Sequence, residues 1–222
     1  VIASAPSNLA DTADAVEQNG SSDGHVSSHP EFPPLELGPR FDAALQLASE
    51  LHRVQARKGT NLPYISHLLG VTSLVLEDGG SEDEAIAALL HDAVEDQGGK
   101  VTLLLIQERF GPDVARIVEA CSDTDVVPKP PWRERKEAYV AHLATAPPEV
   151  IRVSLADKLH NARAIIRDLR VHGPSLWERF NPDADQVWYY DVLARAFREA
   201  GCTSPMLDEL DEAVAEMKRL SG

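Results

Sequence analysis

The stretch Ala87-Ala88-Leu89-Leu90-His91-Asp92-Ala93-Val94-Glu95-Asp96 constrains this chain more than any other. It opens as an apolar helix and ends with four ionisable residues in six, three of them carboxylates. Negative charge beside an apolar run is costly without compensation. A helix C-terminus adds to that cost, because its dipole disfavours anions. A bound divalent cation is the simplest compensation, since His and Asp are both good ligands. The alternative is a solvated helix end with a chance His-Asp pair. Residues elsewhere in the chain decide between the two.

Composition narrows the fold. Aromatic residues are only 5% of the 222, while Ala and Leu are plentiful, which favours helix over sheet. A formal net charge of -15 argues against non-specific nucleic-acid binding. An anionic substrate would then need a local positive site or a metal. Cys121 and Cys202 lie in no metal-binding or disulfide spacing. No apolar run has spanning length and no signal-peptide pattern is present, so the expectation is a soluble cytoplasmic protein without a membrane or nucleic-acid partner. Oligomeric state is not readable.

Residues 1–38 hold six acidic residues, no Lys or Arg and no sustained apolar period, so they are expected to be a disordered acidic tail. Residues 39–222 form the expected domain. Phe41, Ala44, Leu45, Ala48, Leu51 and Val54 mark a helix running to about Gln55. Arg57-Lys58-Gly59-Thr60 then forms a loop, and a second helix follows Pro63 until Gly79-Gly80. Ser81 and Glu84 make a capping box for the third helix, which contains the opening stretch. Further helices are expected over 101–110, 113–121, 132–144, 149–171, 187–200 and 206–220. The run Arg133-Glu134-Arg135-Lys136-Glu137 reads as a solvated face, and 126–131 as a proline-rich loop. The predicted fold is all-α, a compact multi-helix bundle.

Four potential ligands stand out: His67, His91, Asp92 and Asp157. Two imidazoles and two carboxylates suit Mn, Fe or Zn, with positions left for water or substrate. Adjacent helical residues point about 100° apart, so His91 and Asp92 share a metal only at a fraying helix end. Asp157, His160, Asn161 and Ala164 share one helical face. The alternative for Asp157 is a surface ion pair with Lys158 or Arg163.

At this point the chain resembles the HD-domain metal-dependent phosphohydrolases. The carrying blocks are Arg57-Lys58-Gly59-Thr60, Pro63-Tyr64-Ile65-Ser66-His67, Ala88 to Asp96, Arg109-Phe110-Gly111 and Leu155 to Arg163. Their order and spacing are similar to the hydrolase domain of the bifunctional Rel/Spo enzymes and to stand-alone small alarmone hydrolases. The resemblance implies an HD-domain bundle binding one Mn²⁺ through His67, His91, Asp92 and Asp157, with Zn²⁺ or Fe²⁺ as other candidates. It implies removal of pyrophosphate from the 3′ position of guanosine tetra- or pentaphosphate, a small-molecule nucleotide. Glu95, Asp96 and Asn161 would be catalytic. Arg57, Lys58, Lys129 and Tyr189, or its neighbour Tyr190, would bind substrate.

Three positions depart from the family pattern: Leu68 for a proline, Ala164 for a hydroxyl residue, and Asp185 where a basic residue would help bind phosphate. Two alternatives follow. One is an HD phosphohydrolase for another nucleotide or phosphoester. The other is a non-catalytic HD protein that senses nucleotide.

Overall fold

The computed structural model describes residues 35–122 and 128–222. The expected acidic tail, up to residue 34, lies outside them, as do Val126 and Val127 of the proline-rich loop. The elements are α1 (Pro39–Leu51), α2 (Ile65–Glu77), α3 (Glu82–Leu90), α4 (Ala93–Asp96), α5 (Lys100–Phe110), α6 (Pro112–Cys121), α7 (Trp132–Leu143), α8 (Pro148–His172), a 3-10 helix (Gly173–Arg179), α9 (Gln186–Glu199) and α10 (Pro205–Ser221). Among the described residues there is no strand, only an isolated bridge between Ala56 and Pro63. The fold is all-α, as composition and periodicity predict.

The centre of the bundle is α3. Ala85 through Leu90 are all 0% exposed, so this helix is buried on every side, which an amphipathic surface helix is not. It packs against α1, α2, α6 and α8. Its start is fixed by the capping box: Glu84 N–H donates to Ser81 Oγ, and Ser81 N–H donates to Glu84 Oε2 at 2.7 Å. Such a cap is worth about 1 kcal/mol. Glu84 is itself buried and pairs with Arg152, whose Nε donates to Asp78 Oδ2 at 2.8 Å. The N-terminus of α3 is thereby tied to α8 and to the end of α2.

The long helix α8 buries Val150, Val153, Leu155, Ala156, Leu159 and Ala162 completely. Each large aliphatic side chain so buried contributes roughly 1.5–3 kcal/mol. Asp157 sits within this apolar face at 6% exposure. At the other end of the domain, Gly38 N–H donates to Glu82 Oε1 at 2.7 Å, which ties the start of α1 to α3. No helix among the described residues is long and apolar enough to cross a membrane.

Four local features differ from expectation. First, α1 stops at Leu51 rather than near Gln55, because buried His52 takes the C-cap. Residues 52–64 then form an irregular segment. Its base is closed by Arg57 N–H to Leu62 O and Tyr64 N–H to Gln55 O, each 2.9 Å. Second, the third helix ends at Leu90 with His91-Asp92 at its end, as expected, but Ala93–Asp96 then form a separate short helix. Third, Gly173-Pro174 does not merely end α8: with Gly173 at φ 62 the chain turns into a 3-10 helix. Fourth, the charged run on α7 is not wholly solvated. The Arg133 guanidinium lies 3.1 Å from the Trp188 ring centre, and Lys136 lies 5.1 Å from that of Tyr189.

Candidate metal centre and adjoining cleft

Three elements deliver the ligand candidates. Tyr64, in right-handed conformation, starts α2, so His67 falls one turn later on the same face. The break after Leu90 lets His91 and Asp92 turn toward one point, with His91 Nε2 3.0 Å from Asp92 Oδ2. The buried face of α8 brings Asp157 Oδ1 to 3.2 Å from His67 Nε2 and 3.6 Å from His91 Nε2. One ligand atom from each of His67, His91 and Asp157 lies within 4.8 Å of the others. Asp92 is at the edge of this group, its Oδ2 3.5 Å from His67 Nε2 and accepting Tyr64 O–H at 2.6 Å.

The tautomers follow from partners. His91 Nδ1 lies 2.8 Å from the Ala88 carbonyl. A carbonyl only accepts, so Nδ1 carries the proton and Nε2 offers a lone pair. His67 Nδ1 lies 2.9 Å from His160 Nδ1. His67 can then donate from Nδ1 and keep Nε2 free. Both Nε2 atoms are buried without a hydrogen-bond partner. Two orphaned imidazole nitrogens facing two carboxylates form a donor set that fits a divalent ion.

Electrostatics point the same way. Burial alone would lower the His91 pKa, yet the Asp92 and Asp157 carboxylates lift it well above the usual value. Burial would raise the Asp92 pKa, but His91 and His67 hold it well below the carboxylate range. Asp157 is likewise held down against burial, by Lys158 first and then by the histidines. This field stabilises positive charge at its centre. Lys158 donates to Asp157 Oδ2 at 2.6 Å, so an ion pair with Lys158 exists, but with Asp157 buried it is not the surface pair weighed as the alternative. It uses one oxygen and leaves the other facing the histidines.

Around the cluster, Asn161 Nδ2 donates to Asp157 Oδ1 at 2.6 Å, and Arg57 Nη2 donates to Asn161 Oδ1 at 2.8 Å. Asp96 accepts from Gln55 Nε2 at 2.8 Å, and burial, with Asp92 and Glu95 nearby, raises its pKa. Glu95 Oε1 accepts from Lys129 Nζ at 2.7 Å. Lys129 is thus held to a carboxylate and does not line the adjoining cleft.

That cleft, of about 270 Å³, is lined by Arg57, Lys58, Tyr64, Asn161, Arg179 and Tyr190 among others. Tyr64 and Asn161 belong both to it and to the metal-facing network. Tyr189 is not part of its lining. It is 4% exposed, with its ring 5.8 Å from that of Trp132. Consecutive helical residues point about 100° apart, so only one of the two tyrosines can face the cleft, and it is Tyr190.

Sequence reasoning gave no role to Tyr64, Gln55 or His160. Tyr64 had a signal, its spacing of three from His67. His160 had one too, as it shares a face with Asp157. Gln55 had none, because it reaches Asp96 across 41 positions. The His160 ring also explains a glycine. A Cβ on Gly70 would collide with His160 Nε2, so the ring occupies space that only glycine leaves open.

The comparisons with known proteins bear on the same residues. Residues 44–182 match the family described as HD domain. The guanosine-3′,5′-bis(diphosphate) 3′-pyrophosphohydrolase MESH1 of Xenopus tropicalis is 41% identical over 160 residues, covering 68% of this chain and 84% of that protein. The enzyme of the same description from Homo sapiens is 34% identical over 169 residues, covering 75% and 87%. A solved structure described as a metazoan ortholog of SpoT that hydrolyses ppGpp matches with a TM-score of 0.67 at 28% identity, over 85% of this chain and all of that one. The matched segment runs from α1 past α8 and contains His67, His91, Asp92 and Asp157: the chain belongs to the HD domain family.

Proposed function

We propose that this chain is a metal-dependent nucleotide pyrophosphohydrolase that removes pyrophosphate from the 3′ position of guanosine 3′,5′-bis(diphosphate), the substrate named for its relatives. The observation that carries this is the pair of buried, unpartnered Nε2 atoms of His67 and His91 next to a cleft lined by Arg57 and Lys58. The catalytic body would be residues 39–222, with His67, His91, Asp92 and Asp157 as ligands and Mn²⁺ as the metal. Mixed nitrogen and oxygen donors support Mn²⁺ over a thiolate-preferring ion.

The chemistry a divalent ion supplies in such a site is polarisation of a phosphoryl oxygen and acidification of water. The residues do the rest. His67 and His91, with their Nδ1 protons engaged elsewhere, present fixed lone pairs. Asn161, clamped between Asp157 and Arg57, orients the reacting phosphate and water. In the reaction, water adds at the phosphorus attached to the 3′ oxygen and the P–O3′ bond breaks. Pyrophosphate leaves with the added hydroxyl, and the ribose 3′ oxygen gains a proton. Asp96, whose proton affinity is raised, takes the water proton. Glu95, held by Lys129, lies one residue away and shares the proton traffic. Arg57 and Lys58 bind substrate, and Tyr190 replaces Tyr189 as the aromatic contact.

The test is turnover across a panel of nucleotides with and without added Mn²⁺. Guanosine 3′,5′-bis(diphosphate) is expected to yield GDP and pyrophosphate only with metal. Turnover of other phosphoesters alone would replace the substrate assignment. Tight nucleotide binding without turnover under any metal would make the chain a sensor.

A further inference from the structure

The cleft has a second end that the cluster does not explain. Arg57 is bound to Asn161, which marks the side next to the metal ligands. Lys58 and Arg179 also line the cleft, and neither has an acidic partner among the described residues. Most cations of the described residues have a carboxylate beside them, although Arg53 and Arg109 also lack one. Elsewhere on α8, α9 and α10 arginines meet carboxylates: Arg163 with Glu209, Arg170 with Glu216, Arg198 with Asp211. Arg167, also at the cleft, has Asp168 at 3.3 Å.

The two unpaired cations are brought together by structure. The turn at Gly59, φ 73, leaves Arg179 Cδ 3.9 Å from where a Cβ would stand, so the Arg179 side chain runs over the turn that carries Lys58. Lys58 Nζ lies 6.0 Å from the ring centre of Phe180, the residue after Arg179. The 3-10 helix bearing Arg179 is anchored by Leu176, 3% exposed, and by Trp177 against Phe180 at 5.6 Å. Two like charges on neighbouring segments repel each other, and an anion between them relieves that repulsion. Asp185 does not line the cleft: it caps α9, accepting Trp188 N–H at 2.9 Å. The positive charge enters the cleft from the 3-10 helix.

We propose that Lys58 and Arg179 form a diphosphate-binding subsite at the end of the cleft away from the metal ligands. The proposal rests on the nucleotide reading above and deepens it. The 3′ pyrophosphate would lie at the end where His67, His91, Asp92 and Asp157 would hold a divalent ion, while the 5′ diphosphate of the same nucleotide goes to Lys58 and Arg179. Arginine suits this because its planar fork donates to two phosphate oxygens at once, and lysine adds a point charge. The subsite makes Arg179 a specificity residue, selecting nucleotides by the length of their 5′ phosphate chain.

The test has two arms, both on the full chain. In the first, divalent ions are removed with chelator and binding of GDP, GMP and guanosine is measured by calorimetry. GDP is expected to bind more tightly than guanosine by roughly 10- to 100-fold. Arg179→Ala is expected to remove most of that preference, and Arg179→Lys to restore part of it. In the second, KM is measured for guanosine 3′,5′-bis(diphosphate) and for guanosine 3′-diphosphate with a free 5′ hydroxyl. Arg179→Ala is expected to raise KM for the first by roughly tenfold and to leave KM for the second alone. Arg179 is exposed, so an unchanged melting temperature checks folding. If wild type turns over both substrates and Arg179→Ala alters neither the GDP preference nor the KM ratio, the subsite is overturned and the reaction stands. If neither substrate turns over but the GDP preference follows Arg179, the reaction assignment falls and the subsite stands.

Discussion

The two ends of the site are built differently. At the metal end, Asp157 is held by Lys158 and Asn161, His67 by His160, and His91 by the Ala88 carbonyl, all from buried or half-buried positions. At the cleft end, Lys58 and Arg179 are exposed and touched mainly by an aromatic ring and a glycine turn. Bond-breaking needs atoms fixed in advance, because small misplacements cost large factors in rate. Recognition of a flexible phosphate chain tolerates long side chains that settle on contact. The rigid end lies on helices and the adaptable end on a turn and a 3-10 helix, as that division requires.

The largest effect expected on this contrast comes from Asp157→Asn. It keeps the shape but removes the charge that faces both histidines. Metal content and turnover should fall together to background, measured by elemental analysis and product release. Retention of full metal content would show that the α8 carboxylate is not part of the rigid end.

Next, Asp96→Asn should keep metal yet lower the single-turnover rate by roughly 10²–10⁴-fold, the range for a positioned acid–base group. Glu95→Gln should act in the same direction. If both turn over like wild type, these are solvated helix-end carboxylates.

A smaller loss is expected from the support of His67. His160→Leu should weaken metal affinity about 10- to 100-fold, as loss of a ligand's outer partner does. His160→Asn, which keeps an acceptor near the place of Nδ1, should recover part of it. Gly70→Ala should mimic His160→Leu, because the added methyl displaces the ring. Titration with metal reads all three.

The pH dependence sharpens the contrast without mutation. In the metal-free protein the His91 pKa is raised, so its contribution to stability is full below about pH 6.5 and is lost as pH rises through the folded value. Asp92 and Asp157 are depressed, so theirs is present above about pH 3.9 and lost only as pH falls through their folded values. Metal binding instead requires neutral His91. The gain in melting temperature on adding metal should therefore grow as pH rises from about 6.5 through the raised His91 value. A gain that is flat or shrinks with pH would mean the ion does not displace the His91 proton. The least effect is expected from removing residues 1–34, which leaves the Gly38–Glu82 bond in place: melting temperature and turnover should not change.

The rigid end was largely legible in the sequence, because its ligands sit on helices whose period is visible. His67, His91 and Asp157 each follow an apolar pattern that says which way they face. The cleft end was less so. The 3-10 helix has no apolar period and was hidden behind the stop signal of Gly173-Pro174. Arg179 therefore had no place in the sequence reading, and Tyr189 was preferred over Tyr190 because periodicity cannot resolve two adjacent aromatics. Gln55 was absorbed into a helix that ends four residues earlier. In each case a tertiary contact overrode a local pattern.

The bridge between Ala56 and Pro63 has a consequence for how such an enzyme can be altered. It ties off the loop that carries Arg57 and Lys58 at its own base, just ahead of Tyr64 and His67. The tip can be lengthened at Asn61 without pulling on α2, provided Gly59, at φ 73, and Thr60, whose hydroxyl donates to Arg57 O, are kept. Doubling the length of a flexible loop costs only about 0.6 kcal/mol in closure entropy. The tip is thus a graft point. Lengthening it there should retune which nucleotides are accepted while the hydrolytic machinery behind the knot stays as it is.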